Sequence, residues 1–321
     1  MSVPLLGAGI VQQASIPSQI DRPFDSPNER LWNGKGQRTS KVRNHLTVPR
    51  FVGKDGGFQR AQPVLRELPA NWAQGLLMPL SLRERLTMLM PPSVFYRQRI
   101  AQEARTGEPE LAVLAELVPR GGIAVDVGAN VGFFAYALAD IADHVVAFEP
   151  NPDYAFFARW MLRGRAEVRE IALSDAPGRG TLYVPLSDQG MLLHLAGSLK
   201  RSHVQFRNTK TYDVEIRTLD EAGLVGVRFV KADVEGGERE VLDGARATIA
   251  RDRPIIMLEL LSGTHENPAA DVAAICESFG YEAFIVQRGE KIAALPAISA
   301  LGKNTSWGTE IESRNVLFLP R

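Results

Sequence analysis

From Gly122 onward, short apolar runs alternate with stretches whose apolar positions recur every three or four residues. IAVDV (Ile123–Val127) reads as a buried strand, GFFAYALADI as a helix and HVVAFE as a second strand. DYAFFARWMLRG then reads as a helix and AEVREIAL as a strand. Further on come RFVKADV, a strand; REVLDGARATI, a helix; PIIMLEL, a strand; and DVAAICESFG, a helix. YEAFIV and NVLFL close the chain as two final strands. TLYVPL and DVEIRTL read as additional strands around a polar loop, residues 187–210. Strands separated by helices predict a mostly parallel sheet with helices on both faces, an α/β fold.

Ahead of this pattern lie three predicted helices. SLRERLTMLM opens with a capping box, Ser81 with Glu84 three residues on, and ends at Pro91-Pro92. The second runs from Pro92 to Arg105 and the third from Pro109 to Leu117. Residues 69–120 are therefore expected to form an N-terminal helical cap on a domain spanning 121–321. Residues 1–68 lack sustained periodicity and are rich in Gly, Pro, Ser, Asn and basic residues. They read as a poorly ordered or surface-draped extension. The sharper alternative is an arm reaching a substrate or partner subunit, anchored by Trp32 and Phe51.

Charge alters this picture only at the N-terminus. Residues 1–60 hold nine Lys/Arg against four Asp/Glu, a balance of +5, while the whole chain is neutral, so the rest carries −5. No global field points to nucleic acid or to a membrane surface. No apolar run approaches the ~20 residues of a membrane span, and the start of the chain has no basic segment before its short apolar stretch, so it does not read as a signal peptide. The single cysteine, Cys276, excludes an internal disulfide and fits a reducing compartment, so a cytoplasmic protein is expected. Its apolar helical setting, AAICESF, reads as a buried structural thiol. A homodimer is left open.

The candidate chemistry starts at the turn after IAVDV, with Asp126, Gly128, Asn130 and Gly132. A dinucleotide loop needs G-x-G-x-x-G. Aligned on Gly128, its second glycine is Asn130 and its third is Phe133, which disfavours a nicotinamide or flavin. Asn130 still tolerates a left-handed backbone, and the two glycines would let a ligand and the next helix come close. An amino-acid-like group joined to a nucleoside would suit this geometry. Glu149, in VVAFEPNP, lies 23 residues after Asp126 at the end of the second strand. An acid there can accept both hydrogen bonds of a ribose diol. The blander alternative is a solvated carboxylate at a strand end. IALSDAPG follows the third strand, where Ser174 and Asp175 would offer a backbone N–H and a carboxylate to an adenine edge, with Leu173 packed on the ring. An ordinary Asp-initiated turn is the alternative.

DVGANVGFF, FEPNP, ALSD, the Arg217-Thr218-Leu219-Asp220 segment and KADVEGGEREVLDGA, in this order, resemble the FkbM family of S-adenosylmethionine-dependent methyltransferases. The resemblance runs from about Glu108 to Leu260, and KADVEGGE with DVGAN is its most specific part. One small departure is Ala232, where the family often carries a hydrophobic residue. The resemblance implies a Rossmann-like methyltransferase fold with a mostly parallel seven-stranded sheet. It also implies S-adenosyl-L-methionine as cofactor and O-methylation of a hydroxyl on a sugar, glycan or natural product.

Methyl transfer from a sulfonium requires an acceptor oxygen held close, in line and dehydrated, and gains from a base. Strand alternation would turn Lys231, Asp233 and Glu235 the same way if the strand continued that far. They would lie at the carboxyl end of a parallel strand, where open α/β sheets bind ligands. Asp233 is the first candidate for a base or orienting acid, with Lys231 holding it ionised; Glu235 is the second. A salt-bridged structural cluster is the alternative. Glu259 ends the next strand and faces the same crevice. His194 and His265, in polar loops, are candidate acceptor contacts, although lone loop histidines are usually solvated. Ser198, in the polar loop, and Trp307, in KNTSWGTE, are further acceptor candidates. Asp233, Glu235 and Glu259 would suit a hard cation, but there is no His/Cys cluster and the chemistry requires no metal. Two other classes stay open: a dinucleotide-dependent oxidoreductase, and a non-catalytic scaffold whose basic arm binds an anionic partner.

Overall fold

The computed structural model describes residues 91–106, 108–186, 197–203, 208–261, 265–301 and 313–321. The expected extension over 1–68, the helix expected from Ser81, and the candidates His194 and Trp307 lie outside the described residues.

Two helices come first, α1 (Pro92–Thr106) and α2 (Glu110–Leu117). Then follow β1 (Ile123–Val127), α3 (Phe133–Leu138), β2 (His144–Phe148), α4 (Pro152–Met161) and β3 (Glu167–Arg169). Next are the short β4 (Ala172–Leu173), β5 (Gly178–Pro185) and β6 (Thr209–Arg217). β7 (Val227–Ala232), α5 (Glu238–Asp243), α6 (Arg246–Asp252) and β8 (Ile255–Glu259) lead to α7 (Pro268–Phe279). β9 (Tyr281–Gln287), β10 (Glu290–Ala293), α8 (Ala294–Leu301) and β11 (Asn315–Pro320) finish the chain.

The main sheet runs β10-β9-β11-β8-β7-β1-β2-β3. Strands β3, β2, β1, β7 and β8 are mutually parallel, and β11 is antiparallel to both β8 and β9. The sheet is thus Rossmann-like and mostly parallel, but it has eight strands rather than the seven expected. The extra strand, β10, returns on β9 through Arg288 and Gly289, both at positive φ (53° and 80°). That is the backbone of a two-residue hairpin turn whose twist matches the strands. β5 and β6, the strands expected on either side of the polar loop, pair antiparallel, and with β4 they form a separate three-stranded sheet. AEVREIAL is therefore two strands, its halves paired in different sheets.

REVLDGARATI is likewise two helices. The Gly244 carbonyl is diverted to the Asp220 N–H (3.0 Å), and the Asp220 carboxylate accepts from the N–H groups of Ala247 and Thr248 (2.9 and 2.8 Å). Asp220 thereby satisfies orphan donors at the start of α6.

Alternation along the strands sorts the core into two layers. Val125, Val127, Val230, Ala232, Ile256 and Leu258 pack on the side of α5, α6 and α7. Ala124, Phe229, Met257 and Leu317 pack on the side of α1 to α4. Cys276 sits buried in the first layer, and burial raises its thiol pKa, as a structural role requires. The period of two then decides where the polar strand residues go. Asp126, Lys231, Glu259 and Asn315 share the second face, with Asp126 opposite Lys231 and Asn315 opposite Glu259 in register. All four are buried. A polar row thus crosses four adjacent strands beneath α2 and α3, at the carboxyl ends of β1, β7 and β8. No described helix is long and apolar enough to cross a membrane.

Candidate functional site

The turn after β1 is built as the sequence suggested, with different work for its glycines. Asn130 is left-handed (φ 51°), and the N–H groups of Gly128 and Ala129 donate to the Phe148 carbonyl at 2.9 and 3.1 Å. Gly128 (φ 77°) lies against the end of β7: a Cβ there would stand 1.9 Å from the Asp233 carbonyl oxygen. Gly132 (φ 85°) lies against α4, its Cβ position 2.6 Å from Leu162 Cδ1. The space both glycines free is filled by protein, not by a ligand approach. α1 supports the same turn: the Tyr96 hydroxyl donates to the Val131 carbonyl at 2.7 Å, and its ring stacks on Tyr136 at 4.3 Å. Asp126 accepts from the Ala135 N–H at 2.9 Å and so caps α3 from below. Burial pushes its carboxyl up to about 7 against the pull of Lys231.

Glu149 joins two of the sequence signals physically. Its Oε2 accepts from the Asn130 N–H at 2.7 Å and its Oε1 from the Asn151 N–H at 2.8 Å. The acid therefore staples the glycine turn to the end of β2, and each oxygen keeps a lone pair. Burial raises its pKa to about 7, opposed by those two hydrogen bonds. The Asn151 side chain accepts from the Asp153 N–H at 3.0 Å and caps α4. That fixes its amide orientation and leaves Nδ2 as a buried donor without a partner. Ser174 and Asp175 are less buried: the Ser174 hydroxyl donates to Asp175 at 3.2 Å and its N–H to the Arg217 carbonyl at 2.9 Å. Those contacts belong to the smaller sheet rather than to the glycine turn.

The polar row continues into a charge cluster. Lys231, fully buried, reaches Asp233 at 3.2 Å and lies 5.1 Å over the Phe134 ring. Arg314 reaches Glu259 at 3.2 Å and Glu108 at 3.0 Å. Asn315 donates to Glu108 and Glu110, and the Ser313 hydroxyl to Glu110. The Asp233 and Glu259 carboxyls lie within hydrogen-bond reach of each other. Burial opposes ionisation of Asp233, but Lys231 and the Glu259 hydrogen bond hold it below the usual carboxylate range. Glu259 goes the other way, raised by burial and by the Asp233 charge. Burial raises Glu108 to about 7, countered chiefly by Lys231. Carboxylate oxygens of Glu108, Asp233 and Glu259 come within 4.8 Å of one another. Two cations, Lys231 and Arg314, supply compensating charge there. Glu108 takes the place in this group that the sequence offered to Glu235.

Glu235 departs from the alternation. β7 ends at Ala232, and Glu235 is left-handed (φ 54°) ahead of Gly236 (φ 94°). Its carboxyl nevertheless lies in the field of Asp233, and burial with that charge raises it to about 8. The loop is held from two sides. Glu238, fully buried, accepts with Oε1 from the N–H groups of Val234 (3.0 Å) and Gly236 (3.2 Å). The Ser198 hydroxyl donates to the Glu235 carbonyl at 3.0 Å, and Lys200 donates to the Gly236 carbonyl at 2.6 Å. Ser198 thus braces this loop. His265 is no solvated loop residue: its ring nitrogens lie 2.9 Å from Glu238 Oε2 and 2.9 Å from Asp271 Oδ2.

The structure therefore brings together Asp126, Gly128, Asn130 and Glu149, and separately Lys231, Asp233 and Glu259 with Glu235 beside them. Gly128, packed on Asp233, joins the two groups. Sequence reasoning missed Glu108, Arg314, Glu238 and Tyr96. Arg314 had one usable signal, a polar Ser-Arg-Asn triplet ahead of the apolar strand NVLFL.

Residues 126–283 match the family model described as the methyltransferase FkbM domain. The 2-O-methyltransferase NoeI of Sinorhizobium fredii is 28% identical over 146 residues, which cover 41% of this chain and 60% of that protein. The chain thus spans about three fifths of that relative's length. Among solved structures, a methyltransferase FkbM from Methylobacillus flagellatus KT is 16% identical with a TM-score of 0.41, over 64% of this chain and 45% of that one. SMU.1697c, a putative methyltransferase from Streptococcus mutans in complex with SAH, is 11% identical with a TM-score of 0.37, over 64% of this chain and 92% of that one.

Proposed function

Because the chain belongs to the FkbM methyltransferase family, we propose that it is an S-adenosylmethionine-dependent O-methyltransferase acting on a hydroxyl of a sugar, glycan or glycosylated natural product. The observation that carries this reading is Glu149, whose two oxygens bind the N–H groups of Asn130 and Asn151 and tie the glycine turn to the end of β2. The residues present fit such a cofactor. Glu149 retains acceptor capacity for a ribose diol, and Nδ2 of Asn151, whose backbone N–H binds Glu149, is a buried donor with no partner. Asp126, Glu149 and Glu235 are carboxyls that burial has raised to about 7, 7 and 8, so a positively charged ligand would be welcome among them.

When bound, the cofactor supplies a methyl group already activated by its sulfonium. The chain's own residues do the rest. Asp233, held ionised by Lys231 and 30% exposed at its side chain, accepts the hydrogen bond of the acceptor hydroxyl and takes its proton. The proton then leaves to solvent by that exposed face. Glu259 and Lys231 keep the Asp233 oxygens fixed. Glu235 is the second acceptor on the same side. The name of the NoeI relative, a 2-O-methyltransferase, supports a hydroxyl as the accepting group.

Calorimetry with S-adenosylhomocysteine tests the cofactor site. The wild type should bind, and Glu149→Ala should weaken binding by about 10- to 100-fold, the worth of hydrogen bonds to a charged group. No binding by the wild type, or unchanged affinity in the variant, would overturn the assignment. Methyl-labelled cofactor offered with a panel of monosaccharide glycosides then tests the acceptor class.

A further inference from the structure

His265 lies between two carboxylates, Glu238 from α5 and Asp271 from α7, each 2.9 Å from a ring nitrogen. A neutral imidazole has one N–H and could satisfy only one of them. With both carboxylates ionised, the two contacts require the imidazolium. The second oxygen of Glu238 holds the N–H groups of Val234 and Gly236, which flank Glu235. A left-handed glutamate costs about 1–3 kcal/mol and persists only where its surroundings enforce it. Here the enforcement runs from the ring of His265, through one buried carboxylate, to the N–H groups of the two residues on either side of the strained one.

We propose that His265 is a positioning residue of the acceptor side: as an imidazolium it fixes Glu238, and Glu238 fixes the left-handed turn that brings the Glu235 carboxyl beside Asp233. The role of that side in methyl transfer rests on the function proposed above; the clamp itself does not. The charged groups facing the ring are Glu238 and Asp271, and those facing Glu235 are Asp233, Glu238, Arg314 and Lys231. Burial disfavours the charged ring, but the Glu238 and Asp271 contacts outweigh it, so its pKa is raised above the ordinary value of about 6.5. The sign follows: the clamp is fully present below that value and is released as pH rises through the higher, folded-state pKa.

The test uses the full chain, without cofactor, carbon-13 labelled in histidine rings and glutamate carboxyls. The His265 ring should titrate above 6.5. In His265→Gln, the Glu235 carboxyl should move its titration away from about 8 towards the ordinary glutamate range, and the Val234 and Gly236 amides should lose exchange protection. Asp271→Asn, a milder change at a half-exposed partner, should shift both titrations the same way by less. Affinity for S-adenosylhomocysteine should be unchanged in both, and turnover should fall by up to about 100-fold through kcat, as misplacement at a distance from the reacting atoms does. A His265 ring titrating at or below 6.5, or a Glu235 titration identical in wild type and variants, refutes the clamp. Absence of S-adenosylhomocysteine binding by the wild type refutes instead the function on which its catalytic meaning rests.

Discussion

Asp233→Asn is expected to keep the affinity for S-adenosylhomocysteine and to lower methyl transfer by about 10²–10⁴-fold, the usual contribution of a positioned proton acceptor. The substitution is nearly isosteric, and it removes the one carboxylate of the cluster that is held ionised while part of its side chain meets solvent. Lys231 is not stranded by the change. It also feels Glu108, Glu259 and Asp126, and with Asp233 neutral one of the charges that raise Glu259 is gone. The fold should therefore survive, and the loss should fall on kcat and kcat/KM together, the pattern of an interaction made in the transition state. Affinity from calorimetry and rates from labelled methyl transfer separate the two quantities. Turnover equal to wild type removes Asp233 from the reaction. Weakened S-adenosylhomocysteine binding would move it to the cofactor.

The parts of this site that the sequence revealed are those set by local periodicity. A strand, a tight turn and a helix place Asp126, Gly128 and Asn130 within a few residues of one another. The next strand of a parallel sheet lies beside the first, so Glu149 had to end near the turn. Alternation predicted that Lys231 and Asp233 would face the same way, and they meet. It failed two residues later, because Glu235 takes a left-handed backbone that its own residue type does not announce. The glycines were legible as glycines but not in purpose, since the atoms that would clash with a side chain belong to β7 and α4. Glu108 and Arg314 lie 206 residues apart, and no window of the sequence contains both. The strand β10 was missed for a similar reason: its turn needs positive φ at Arg288, where only the following glycine is a signal.

Lys231→Met should cost more than any surface change in the molecule. Removing one partner of a buried ionic cluster leaves the others uncompensated, typically at about 3–5 kcal/mol. Methionine fills much of the same volume, so the loss is chiefly of charge. Burial disfavours the ammonium, but Asp233, Glu108, Glu259 and Asp126 outweigh it and raise its pKa. A raised lysine contributes stability that is fully present below its ordinary value of about 10.4, so the wild type holds this contribution throughout the neutral range. The variant does not behave uniformly across that range. In the wild type, Asp126 and Glu108 already stand near 7, with Lys231 pulling both down. Without the cation both rise further and stay protonated at higher pH. Below about pH 6 they are neutral in both proteins, and the deficit is smallest. Above it, the wild type gains ionised carboxylates paired with Lys231, while the variant must keep them neutral or unpaired. The difference in stability should therefore widen from pH 6 to pH 8. Thermal or urea unfolding of both proteins at the two values measures it. A deficit of the same size at pH 6 and pH 8 would show that Lys231 contributes packing rather than charge, and that the acids around it do not depend on its ammonium.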